Sequence, residues 1–235
     1  MHPLSYQPLE RLRPPRPVNR SAFIVDHCRG RNVLDLGCYD ETALVKREAN
    51  EWLHSRIASV ATSVIGVDNS SDLPPDGIST GPSSRIIRGD VTALGAVLPG
   101  DADPDVIVAG ELIEHLTDPT AFLRQIKILF EGRRFIASTP NATQLSNVLL
   151  GIASRESNHR DHLQVFSYKT LTTLCSRTGF ADWRLVPYHV QYTEMALRTG
   201  GLRRTLVHMS QALVTGAETA FPLLSAGFII DVRRI

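Results

Sequence analysis

Short apolar runs alternate with longer helical patterns through the first half of the chain. Residues 32–36, 63–67, 85–88, 105–109 and 134–138 are brief runs dominated by Val, Ile, Leu and Phe. Runs of that length and make-up read as strands buried on both faces. Between them, residues 42–61 repeat apolar positions at helical spacing (Leu44, Val45, Trp52, Leu53, Ile57, Val60), and residues 113–130 read as a second helix. Asn19 or Ser21 is placed to cap a helix running to about Cys28, with Gly30 beyond its end. Residues 72–84 are rich in Pro, Gly and Ser and read as a loop.

The second half is less regular. Residues 168–178 predict a helix stopped by Gly179, residues 183–192 and 227–232 predict two last strands, and residues 202–221 predict one or two helices. Strands alternating with helices make βαβ units, and right-handed crossovers wind them into a doubly wound sheet. The fold expected is α/β: a Rossmann-like, seven-stranded, mostly parallel sheet with helices on both faces and an antiparallel last strand. Residues 1–18, with Pro3, Pro8, Pro14, Pro15 and Pro17, predict a flexible leading segment. Residues 19–235 are then a single domain, with a lid or insertions at 141–169 and 202–221.

Composition narrows the class. At 235 residues and 43% hydrophobic content the chain can bury a core without staples. A net charge of +1 gives no overall pull toward nucleic acid or membrane. Local arginines, at 11, 13, 16 and 20 and again at 203, 204, 233 and 234, read as solvated ends. Three widely spaced cysteines (Cys28, Cys38, Cys175) fit neither a disulfide framework nor a zinc site and imply reduced thiols. The leading segment lacks the apolar stretch of a secretory signal, and no apolar run approaches the ~20 residues of a membrane span. A cytoplasmic protein is expected.

The chemistry lies at the strand ends. Val33-Leu34-Asp35-Leu36-Gly37-Cys38 runs from a buried strand into an acid and a tight glycine turn. In open α/β sheets ligands sit beyond the carboxyl ends of the strands, and glycine lets the backbone approach them closely. Val64-Ile65-Gly66-Val67-Asp68 ends the second strand in a carboxylate that can accept both hydroxyls of a ribose. Arg88-Gly89-Asp90-Val91 places another acid for an adenine amino group, and Gly110-Glu111 closes the fourth strand. Four acids in order at four successive strand ends are the strongest signal in the chain.

Those segments, with Glu111-Leu112-Ile113-Glu114-His115-Leu116, resemble the class I S-adenosylmethionine-dependent methyltransferases, in particular the group carrying an E-x-x-E-H-L segment. The resemblance covers roughly residues 20–180. It implies S-adenosylmethionine as cofactor, held by Asp35, Gly37, Cys38 and Tyr39 along the methionine part. Asp68 and Asn69 would hold the ribose, Asp90 and Val91 would flank the adenine, and Gly110 and Glu111 would lie under the sulfonium. One departure stands out: Tyr39 and Glu41 occupy positions where the family usually has glycine. G-x-G-x-x-G is absent, which disfavours a nicotinamide enzyme.

Methyl transfer from a sulfonium is an in-line displacement, so the protein must align the nucleophile and remove its proton. His115 and His162 are the candidate bases. Glu111, Glu114 and His115 stand at i, i+3 and i+4, one face of a helix if the segment is helical. Asn141, after the fifth strand, and His159, in the lid, are candidate acceptor-binding residues. A small-molecule hydroxyl is the expected acceptor, with no metal, no membrane and no nucleic acid. Two alternatives stay open. Small-RNA 3′-terminal 2′-O-methyltransferases use similar residue types to hold a divalent metal, which would make Glu111, Glu114, His115 and His162 a ligand set. The irregular first turn also allows a non-catalytic cofactor-binding module.

Overall fold

A computed structural model describes residues 9–39 and 43–235, apart from the side chains of Leu44 and Glu194; Glu41 and residues 1–8 lie outside the described set. Its helices are α1 (Arg20–Cys28), α2 (Ala43–Glu48), α3 (Leu53–Ala58), α4 (Leu94–Val97), α5 (Pro119–Leu129), α6 (Leu145–Ile152), α7 (Tyr168–Thr178), α8 (Thr193–Leu197) and α9 (Gly201–Ala220). The strands are β1 (Asn32–Leu36), β2 (Ser63–Asp68), β3 (Ile78–Gly81), β4 (Ser84–Arg88), β5 (Val106–Gly110), β6 (Arg134–Pro140), β7 (Asp182–Tyr188) and β8 (Gly227–Arg234). They form one sheet in the order β3-β4-β2-β1-β5-β6-β8-β7.

β4, β2, β1, β5 and β6 pair parallel, and β8 runs antiparallel between β6 and β7. Successive side chains leave a strand on opposite faces, so each central strand feeds two cores. Leu34, Leu36, Ile107, Ala109, Phe135 and Ala137 pack with α5 and α7 on one face. Val33, Val64, Val106, Val108 and Ile136 pack with Ile24, Cys28 and Ile57 from α1 and α3 on the other. The chain leaves β1 toward β2 and later returns on its other side as β5, so a crevice opens at the carboxyl end of β1.

The α/β reading holds, with three corrections. The sheet has eight strands, not seven. β3 lies inside the stretch read as a loop and pairs antiparallel with β4, with a bulge between Ser79 and Gly81. Its Ile-Ser-Thr-Gly sequence carries no apolar alternation, because it only covers the edge of β4. Gly77, before it, has φ +75°, and a Cβ there would lie 2.1 Å from the Ile86 carbonyl oxygen. The helix expected over 42–61 breaks into α2 and α3 at Asn50, whose φ is +58°. The helix expected over 113–130 starts only at Pro119, with Asp118 as its cap (Ala121 N to Oδ1, 2.9 Å). Residues Ile113–His115 form a separate 3₁₀ turn instead.

Two buried acids hold the antiparallel end. Asp231 is fully buried in β8 and accepts from Arg134 of β6 (Nη2, 2.6 Å) and Arg184 of β7 (Nε, 2.8 Å). Glu218, on the inner side of α9, accepts from the Val190 backbone (3.2 and 3.1 Å) and faces His189 Nδ1 at 3.0 Å. Burial pushes its carboxyl pKa up, while His189 pulls it back. Glu218→Ala leaves a buried backbone N–H without a partner, at a cost of ~1–3 kcal/mol. A fall of roughly 2–4 °C in Tm for each kcal/mol is the expected calorimetric result, and an unchanged Tm would remove Glu218 as the anchor of α9.

Candidate functional site

A cleft of about 1730 Å³ opens over the carboxyl edge of the parallel strands. Asp35, Gly37, Cys38, Tyr39, Asp68, Asn69, Asp90, Val91, Gly110 and Glu111 all line it, as do His115, His159 and His162. The strand order brings these together, because every parallel strand ends on the same edge.

In the first half of the cleft the turn after β1 is tight. Gly37 has φ +66°, donates to the Val67 carbonyl (2.9 Å), and would push a Cβ to 2.7 Å from Leu112 Cδ1. Asp35 is buried, with Oδ2 2.8 Å from His54 Nδ1; His54 Nε2 in turn lies 3.0 Å from Thr80 Oγ1 and 3.1 Å from Ser84 Oγ. The two hydroxyls also bond to each other (2.6 Å), so the carboxylate, the ring and the hydroxyls form one continuous chain of hydrogen bonds. Asp35 is therefore held from below by a fully buried histidine. Asp68 accepts from Tyr39 N (2.8 Å) on Oδ2 and from Ser70 N (2.9 Å) on Oδ1, which fixes the carboxylate at the end of β2. Tyr39 packs edge-on against Trp52, whose indole N–H donates to the Cys38 carbonyl (2.8 Å). Burial, then Asp35 and Asp68, push the Cys38 thiol well above its ordinary pKa, which rules it out as a nucleophile at neutral pH. Asp35, Cys38 and His54 offer atoms within 4.8 Å of one another, with the Asp35 carboxylate and the His54 ring already bonded to each other.

The second half is built on a left-handed residue and a buried acid without a hydrogen-bond partner among the described residues. Glu111 has φ +55°, a left-handed conformation that a residue other than glycine holds only when its surroundings enforce it. Here its N–H donates to the Ser138 carbonyl (2.9 Å), Tyr188 Oη donates to Oε1 (3.0 Å), and Arg20 Nη2 lies 3.4 Å from Oε2. That left-handed residue and the 3₁₀ turn after it replace the helical face expected for Glu111, Glu114 and His115. Glu114 instead turns inward. It is 1% exposed, and neither carboxylate oxygen has a hydrogen-bond partner among the described residues. The Thr139 hydroxyl, also without a hydrogen-bond partner among the described residues, is near enough to draw the Glu114 pKa down slightly. Burial first, and Glu111 second, push the Glu114 carboxyl up to about 8.

His162 reaches this turn because the lid is pinned there: Leu163 N (2.9 Å) and Gln164 N (3.1 Å) both donate to the Glu114 carbonyl. The His115 and His162 rings sit edge-to-face at 4.7 Å, with His159 5.7 Å from His162. Burial, then His115 and His159, lower the His162 pKa, so its ring is neutral at neutral pH and can accept a proton. Glu114, His115 and His162 place ligand atoms within 4.8 Å of one another, close enough to hold one divalent cation. Glu111, the fourth member of the set considered from sequence, is engaged with Arg20 and Tyr188 instead.

One expected site residue is misplaced. Asn141 is fully buried: its Nδ2 donates to the Leu223 and Ser225 carbonyls (2.9 Å each), and its Oδ1 accepts from Thr143 N and Oγ1 (3.0 Å each). All its capacity is taken by fastening the end of β6 to the turn before β8, so it has nothing left for an acceptor. Arg20, Tyr188 and His54 were missed. Arg20 reads as one of a solvated arginine cluster, and Tyr188 sits 77 residues from its partner Glu111. Only His54, an imidazole on the apolar side of a helix, left a sequence signal.

Residues 8–185 match the family model described as a methyltransferase domain. A probable S-adenosylmethionine-dependent methyltransferase of Mycolicibacterium smegmatis is 32% identical over 124 residues, 52% of this chain and 43% of its own length. Another of that description from Mycobacterium tuberculosis is 28% identical over 161 residues, 68% of this chain and 52% of its own. The chain thus spans about half the length of the curated relatives it matches. Among solved structures, a SAM-dependent methyltransferase from Archaeoglobus fulgidus superposes with TM-score 0.55 at 17% identity, over 92% of this chain and 91% of that one.

Proposed function

The chain belongs to the methyltransferase-domain family; we propose that it takes S-adenosylmethionine as its cofactor, as the curated relatives' names describe for them, and transfers the methyl group to a hydroxyl of a small-molecule acceptor. One observation carries the reading: a single cleft has ordered acids at one end and the paired rings of His115 and His162 at the other. In this reading Asp68 accepts from the ribose hydroxyls, Asp90 and Val91 border the adenine, and the Asp35–Gly37 turn holds the methionine part. The methyl group then points past Gly110 toward His115 and His162. His162 takes the acceptor's proton, and His159 contributes to holding the acceptor.

Asp68→Ala removes charge-assisted hydrogen bonds worth ~1.5–3 kcal/mol, so the Kd for S-adenosylmethionine should rise about 10- to 150-fold by calorimetry. Wild type giving no heat with S-adenosylmethionine would overturn the cofactor assignment at this site. Turnover is read by a screen of hydroxylated small molecules, with RNA ends as a separate arm. Cofactor binding with no product from any hydroxylated compound would favour a binding module.

A second reading has its own observation. The Glu114 carboxylate is buried, unpaired and next to two imidazoles, and a divalent cation would satisfy it. A cation there would grip the acceptor hydroxyl and lower its pKa. Turnover lost on chelation and restored by Mg²⁺ or Mn²⁺ selects this reading over direct proton transfer to His162.

A further inference from the structure

α9 is amphipathic the wrong way round. Its inner face, bearing Val207, Gln211, Val214 and Glu218, is fixed to the fold through Gln211 Oε1 (accepting from Tyr192 N, 3.0 Å) and buried Glu218. Leu202, Leu206, Met209 and Leu213 follow at steps of four, three and four residues, which puts them on one side of the helix. They are 77, 54, 58 and 75% exposed, so the apolar row points away from the protein. A surface helix normally turns that stripe inward. α6, packed beside α9, adds exposed Val148, Leu149 and Ile152, and α8 adds Met195 and Leu197.

The charge around this row is mostly positive. Residues 142–155 and 195–217 hold Arg155, Arg198, Arg203 and Arg204 and not one Asp or Glu. The nearest acids are Glu218, buried on the inner side, Glu156, bonded to Asn158, and Glu194 in α8. A second copy docked face to face would bring these arginines together without acids to answer them. An anionic lipid surface supplies both what the row and its rim require, apolar chains and negative headgroups. The patch also reaches the cleft, since Gln144, Tyr192, Thr193, Met195 and Arg198 line both the mouth and the ends of these helices.

We propose that the α6–α8–α9 face seats the protein on an anionic lipid surface, so that the cleft opens toward the interface and receives an amphiphilic acceptor whose hydroxyl lies at headgroup level. The acceptor half rests on the methyltransferase reading; the surface contact does not. No helix among the described residues is long and apolar enough to cross a membrane, and the contact requires none.

The test is flotation of the full chain with vesicles of phosphatidylcholine alone and of equimolar phosphatidylcholine and phosphatidylglycerol, at low and high salt. Binding to the anionic vesicles, weakened by salt, is expected. Leu206→Asp with Met209→Asp should weaken it by about tenfold or more, with S-adenosylmethionine affinity unchanged by calorimetry to show that the fold is intact. Arg203→Glu with Arg204→Glu should act similarly at low salt. No binding to anionic vesicles at low salt, or binding indifferent to the double aspartate, overturns the proposal. So does a dimer in light scattering that the same aspartates dissolve, because the face would then belong to a second copy. Vesicle binding without any S-adenosylmethionine binding would leave the surface standing and sink the methyltransferase reading alone.

Discussion

His162→Ala is expected to lower kcat by about 10²–10⁴-fold, the usual share of a general base, while S-adenosylmethionine affinity stays within about twofold. The two effects separate because His162 enters from the lid, with the 3₁₀ turn between it and the acids at the strand ends. The pH dependence gives a second readout. Its pKa is lowered from the ordinary 6.5 by burial and by His115 and His159. A base must be unprotonated to act, so kcat/KM should rise with pH through a value below 6.5 and then stay level; an unshifted histidine would put that limb higher. His162→Gln should lose the acid limb together with the rate. Full turnover in His162→Ala would end the assignment. If the loss comes instead with an abolished response to Mg²⁺ or Mn²⁺, His162 is a ligand and not the base.

The acid-lined half of the cleft was legible because it is written locally. Asp35, Asp68, Asp90 and Glu111 each stand at or just past the end of a strand, and parallel strands all end on one edge, so order along the chain becomes adjacency in space. The histidine half was legible in residue type but not in geometry. His115 and His162 were singled out, yet the helical face meant to unite Glu111, Glu114 and His115 does not exist. A left-handed Glu111 is invisible in sequence, since what enforces it is Ser138, Arg20 and Tyr188, brought in from three distant segments. Asn141 failed for the same reason: its partners lie 82 and 84 residues further on. β3 went unseen because an edge strand of small polar residues has no period to detect. The outward row of α9 shows the limit in reverse. Its spacing was plain, but periodicity cannot say which way a stripe faces.

Glu114 offers a test in which stability and function move in opposite directions. The folded pKa is raised from 4.5 to about 8 by burial and by Glu111. A group that binds its proton more tightly when folded stabilises the fold fully below the unfolded pKa, and that stabilisation is lost as pH rises through the folded value. The wild type should therefore weaken between about pH 4.5 and pH 8 at this site. Glu114→Gln keeps the shape and cannot ionise, so it escapes the loss. At about 1.4 kcal/mol for each tenfold change, its advantage at pH 8 and above is on the order of 4 kcal/mol, vanishing near pH 4.5. Denaturant unfolding of both proteins across that range measures it, and the other titrating groups cancel in the difference. Under the cation reading the same substitution should also cost most of the methyl transfer, because one ligand of the ion is then lost. A divalent cation sharpens the distinction. If Glu114 holds one with the two histidines, Mg²⁺ or Mn²⁺ stabilises the wild type at pH 8 and leaves Glu114→Gln unmoved. A variant no more stable than wild type at pH 8 would mean that the carboxylate finds a partner in solution, and the case for an ion or proton at that position would fall with it.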